Sequence, residues 1–116
     1  MVTRFGKFTK KLRVDNDELM KDMAIKLGVT KSFLSQVENG ARKPPMTWKH
    51  KIQEAYTLNK LQLEELRESM FVTLNKECID ISSYEENIKD VIFRMIIKIE
   101  DDESIVEQLD NLLKAS

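Results

Sequence analysis

KLGVTKSFLSQVENG, residues 26–40, holds two of the chain's three glycines, with a short helix pattern between them. On a helix over residues 31–39, at about 100° per residue, Phe33, Leu34 and Val37 cover one side. Lys31, Ser32, Ser35, Gln36 and Asn39 fill a contiguous wedge opposite. That wedge has no carboxylate. It displays an ammonium, two hydroxyls and two amides, the donors and acceptors that suit base edges in a DNA major groove. A polar wedge would equally suit the solvated side of a helical hairpin, so the wedge alone leaves both readings open.

The flanks set this short helix among others. Thr30 suits its N-cap and Gly40 its end, while Gly28 offers the left-handed residue that closes a preceding helix. Upstream, residues 3–13 form a first helix with Phe5, Phe8 and Leu12 inward, closed by the polar run Asp15, Asn16 and Asp17. Asp17 is the expected N-cap of the second helix, which turns Leu19, Met23, Ala24 and Leu27 inward. Downstream, Pro44 and Pro45 forbid helix before them and permit a new start. A fourth helix then covers residues 47–56, burying Trp48, Ile52 and Ala55. Asn59 with Gln62 reads as a capping box for a fifth over residues 60–74.

Composition agrees with an all-α chain. Among 116 residues there are three glycines and two prolines, and 41% are apolar, enough for a real core. Cys78, the one cysteine, has no partner for an internal disulfide, and no stretch resembles a signal peptide or a membrane span. The first fourteen residues carry no acid and could imitate a mitochondrial targeting helix, but Phe5, Phe8 and Leu12 sit at core spacing. A reducing cytoplasm is the expected compartment.

The net charge of −1 hides an asymmetry. Residues 1–58 carry twelve Lys plus Arg against six Asp plus Glu, and residues 59–116 carry seven against fourteen. A basic half suits a polyanion, and an acidic half suits contact with protein. In the acidic half, Glu77 to Ser82 alternates like a short strand. Ser83 then precedes a helix with an apolar stripe of Ile88, Val91, Ile92, Met95, Ile96 and Ile99, with Phe93 and Ile97 outside it. Ile105, Val106, Leu109, Leu112 and Leu113 mark a further amphipathic helix. So much apolar surface in a 40-residue tail calls for the fifth helix or a second copy to cover it.

Ala24 four residues before Gly28, then Val29, Leu34 and Val37, then Glu38-Asn39-Gly40 with a proline soon after, resembles the helix-turn-helix of the phage-repressor-like Xre family of regulators. The resemblance implies a five-helix, repressor-like arrangement, with a helix-turn-helix DNA-binding domain over residues 1–58 and a fifth or connecting helix over 59–76, while the apolar and acidic residues 77–116 are read as a segment for dimerisation or partner binding. It implies that the second helix crosses the DNA backbone and the third lies in the major groove. Carried over by position, Lys31, Ser32, Ser35 and Gln36 face bases, and Asn39, Arg42 and Lys43 grip phosphate. Phe33 suits a thymine methyl or sugar, or partial core packing. Arg13 and Glu38 match a pair often buried between the first and third helices. Where the family carries a phosphate-binding glutamine this chain has Met20, so Lys21 or the free amides opening the second helix take that role.

Catalysis is not expected. His50 and Cys78 are single residues with no orienting acid, and no zinc spacing, phosphate-binding glycine loop or EF-hand occurs, so no cofactor or metal is implied. The expectation is a cytoplasmic, prokaryotic or phage protein, associated with the nucleoid when bound. It would be a homodimeric transcriptional repressor that reads a palindromic operator in double-stranded DNA. The alternative is an antitoxin or inhibitor on the same scaffold, whose acidic C-terminal segment holds a protein partner and whose DNA binding is secondary.

Overall fold

The computed structural model describes residues 1–115, and among them the secondary structure is entirely helical. Two compact units divide the chain, Met1–Cys78 and a second that begins at Ile79.

The first unit contains α1 (Arg4–Asp15), α2 (Met20–Leu27), α3 (Lys31–Glu38), α4 (Trp48–Ala55) and α5 (Lys60–Leu74). Thr3 caps α1, its hydroxyl accepting from the Gly6 N–H at 3.0 Å. Phe5, Phe8 and Leu12 follow at helical spacing and are buried, as that spacing predicts. They meet Met23, Leu27, Leu34, Val37, Trp48, Ile52, Leu66 and Met70 in one core. Each such aliphatic or aromatic side chain contributes about 1.5–3 kcal/mol on burial. Ala55 is only half-buried at its edge.

The expected cap at Asp17 is not formed. Asp17 takes the left-handed conformation at φ 52, which Asp tolerates better than most residues, and so reverses the chain after α1. The second helix therefore starts at Met20. Leu19 stands at its N-cap position and is exposed rather than inward; its N–H donates to the Asp22 carboxylate at 2.8 Å.

Gly28 ends α2 at φ 72 in a Schellman arrangement, with Val29 N–H on the Ala24 carbonyl and Gly28 N–H on that of Ile25. Lys51 Nζ adds a cation on the Leu27 carbonyl at 3.1 Å. Thr30 then caps α3, accepting from Phe33 N–H at 3.0 Å. Gly40 closes it at φ 83, and the Ala41 N–H reaches back to the Gln36 carbonyl at 2.9 Å.

After α4, the capping box forms in full. Asn59 accepts from Gln62 N–H at 2.7 Å and Gln62 accepts from Asn59 N–H at 3.0 Å. The helix so started packs along α1 and brings its C-terminal end to the start of that helix, where Phe5 N–H donates to the Thr73 hydroxyl at 3.1 Å.

The second unit contains α6 (Glu86–Asp101) and α7 (Ile105–Lys114), packed on each other. The strand expected over residues 77–82 is absent. Asp80 instead accepts from the Ser82 N–H at 2.9 Å in a local turn, and the Ser82 hydroxyl together with that N–H holds its carboxyl below the usual carboxylate range. Six alternating residues without a neighbouring strand cannot satisfy a ladder. Cys78 is exposed. No described residue of α6 or α7 is fully buried. Ile92, Ile99, Ile105 and Leu109 are half-covered, while Ile88, Val91, Phe93, Met95, Ile96, Ile97, Leu112 and Leu113 remain exposed. No described helix is long and apolar enough to cross a membrane.

Candidate nucleic-acid interface

The orientation of α3 begins with its inner side. Leu34, Val37 and Glu38 are all 0% exposed. For Glu38 that burial is compensated by Arg13, whose guanidinium grips both carboxylate oxygens at 2.6 and 3.1 Å. The Thr9 hydroxyl donates to the same carboxylate, and Arg13 also touches the Met23 sulfur at 3.3 Å. The pair that the family resemblance implies is therefore present, joining α1 to the C-terminal turn of α3. It consumes the only acid on α3, leaving the outer face without a carboxylate.

A second contact holds that turn. Gly6 lies against the backbone of Glu38, so closely that a β-carbon there would overlap the Glu38 carbonyl and sit 2.9 Å from its Cα. Thr3 N–H also donates to the Glu38 carbonyl at 2.9 Å. The N-terminal segment is thus laid across the end of α3.

With the inner side fixed, Lys31, Ser32 and Gln36 are exposed on the outer face and Ser35 is half-buried. Ser35 is partly engaged, since Asn39 donates to its carbonyl at 2.9 Å and to its hydroxyl at 3.4 Å. Phe33 lies half-buried, edge-on to Trp48 with ring centres 5.9 Å apart, so packing claims much of it. Gln36 is not solitary: its Oε1 accepts from Arg42 Nε at 2.6 Å, and the Arg42 guanidinium lies 5.3 Å from the centre of the Phe33 ring. Lys43 is exposed in the same loop, and Lys21 is exposed on the first turn of α2.

Beyond this set lies a groove of about 630 Å³, lined by Thr3, Arg42, Lys43, Val72 and Lys76 among others. Sequence reasoning missed Gly6, Lys51 and Lys76. Lys76 stands 33 positions beyond Lys43, and only the return of α5 along α1 brings it to the loop after α3. The capping box of α5 was the available signal, but not the direction in which that helix packs.

No group of His, Cys, Asp and Glu side chains that could hold a metal occurs among the described residues. His50 is exposed on α4. No protein-family model, curated protein or solved structure matches the chain.

Proposed function

We propose that this chain is a sequence-specific DNA-binding transcriptional regulator, a repressor whose α2 and α3 form a helix-turn-helix within a repressor-like five-helix domain. The observation that carries the reading is the outer face of α3. Lys31, Ser32 and Gln36 stand exposed together, the helix's only carboxylate is buried against Arg13, and Arg42 and Lys43 follow in the next loop. In this reading α3 enters the major groove, with Lys31, Ser32, Ser35 and Gln36 toward the bases. Lys21, Asn39, Arg42 and Lys43 meet the backbone, whose phosphates supply most of the affinity and its salt dependence.

The exposed apolar side chains of α6 and α7 supply the second element of the proposal. One reading head covers a single half-site, and a palindromic operator needs two heads in an isologous dimer. The stripe through Ile88, Val91, Met95 and Ile96 is suited to a symmetry mate. The same stripe is also what favours the other reading, an antitoxin or inhibitor that uses the acidic second unit to hold a protein. Gel shifts with a random duplex pool separate the two. A regulator retards DNA by itself and loses that activity as salt rises, whereas a module whose work is protein binding leaves the pool free until its partner is added.

A further inference from the structure

We propose that Gln36 and Arg42 act as one donor-only unit that selects guanine, with Arg42 as the positioning residue for the Gln36 amide. The inference rests on the DNA-binding reading, moves Arg42 within it from backbone contact to the base-reading set, and adds the base that this part of α3 prefers.

The bond between the two side chains leaves one choice of amide orientation. A guanidinium has five N–H donors and no acceptor, so the Gln36 atom facing Arg42 Nε at 2.6 Å is the carbonyl oxygen. The carboxamide NH₂ is then the end left for a ligand. A glutamine free to turn presents an acceptor and a donor side by side, the pattern that pairs with the N6–H and N7 of adenine. With its oxygen committed to Arg42, Gln36 presents donors beside a second donor group that carries a full positive charge. Guanine shows two acceptors, N7 and O6, on its major-groove edge. Adenine would bring its N6–H donors against an amide NH₂ and a cation, and thymine offers a single acceptor.

Arg42 is held for this role from two sides, by its backbone and by an aromatic ring. Its backbone N–H and that of Ala41 both donate to the Gln36 carbonyl, at 3.3 and 2.9 Å, a path opened by the left-handed Gly40. Its guanidinium rests over Phe33, and Phe33 abuts Trp48, which is 1% exposed. A cation over an aromatic face is attracted by the ring quadrupole. The chain of contacts therefore runs from the core to the amide, and it distinguishes Arg42 from Lys43, which no such contact among the described residues holds.

Selection of bound duplexes from a random pool, with the full chain and with Arg42→Lys, Arg42→Ala and Gln36→Ala, tests this. Circular dichroism confirms that each variant is folded. The wild type should enrich guanine over adenine by roughly tenfold at one position of the bound sequence, the discrimination of one good base contact. Gln36→Ala should level that position. Arg42→Ala frees the amide to turn, so the position should move toward adenine, whereas Arg42→Lys, whose ammonium also offers only donors, should keep guanine and the salt dependence of binding. Adenine at the Gln36-dependent position in the wild type would overturn the proposal, as would guanine retained by Arg42→Ala or by Gln36→Ala, and each result would leave DNA binding standing. A pool with no enriched sequence would remove the DNA reading itself, and this inference with it.

Discussion

At the scale of single residues, Glu38 is a fully buried acid through which α1 and α3 are joined. Its carboxylate is buried and held by Arg13 and Thr9, so truncating it strands a guanidinium that is 9% exposed at its side chain. Breaking one side of a buried ion pair costs about 3–5 kcal/mol. Glu38→Ala should therefore lower the melting temperature sharply, and an unchanged melting curve would show that the pair contributes nothing to folding. Gly6 answers to a different force. A methyl group at that position would push α1 off the backbone of Glu38, and overpacking of this kind costs about 1–3 kcal/mol. Gly6→Ala should reduce stability by that amount in denaturant titration, while Lys7→Ala, an exposed change on the next residue, should not.

At the scale of elements, α3 and its loop divide into two kinds of contact that mutation should separate. Ser32→Ala removes an exposed hydroxyl that the proposal turns toward bases, and it should alter preference at particular base pairs by about 1–3 kcal/mol. Lys43→Ala should weaken binding to every sequence and flatten the dependence of log affinity on log salt by roughly one unit. Equal sequence preferences in the wild type and Ser32→Ala would take Ser32 out of the reading role. The helices themselves were legible wherever a cap and a glycine bracketed an apolar period, as at Thr30 and Gly40 or at Asn59 and Gln62. They were misread where one residue type suits two conformations. Asp17 can cap a helix or adopt left-handed backbone, and the chain reversal after α1 required the latter. Residues 77–82 alternate as a strand does, but alternation is stable only beside a partner strand, which six residues of sequence cannot reveal. The link between Gln36 and Arg42 escaped for a similar reason. Spacing places both near the end of α3, whereas the bond depends on how Gly40 turns the loop back.

At the scale of the whole molecule, the proposal gives the basic half of the sequence and the apolar stripe of α6 and α7 separate tasks, reading DNA and joining two copies. Ile96 is exposed on α6, and a carboxylate there would be desolvated in a dimer contact. Ile96→Glu should shift sedimentation from dimer to monomer and weaken binding to a palindromic site, because the second head would no longer bind intramolecularly. A shortened chain should end after Cys78, not at residue 58, since Leu66 and Met70 of α5 belong to the core that also holds α1. If residues 1–78 sediment as a dimer, the joining surface lies in the first unit and α6 and α7 are left for another protein.

The measurement closest to the central claim is an NMR titration of the full-length, ¹⁵N-labelled protein with a duplex selected from the random pool. Shifts concentrated at Lys31, Ser32, Gln36, Arg42 and Lys43, and fading as salt is raised, are the predicted result. Shifts confined to α6 and α7, or spectra that do not change on adding duplex, would contradict it.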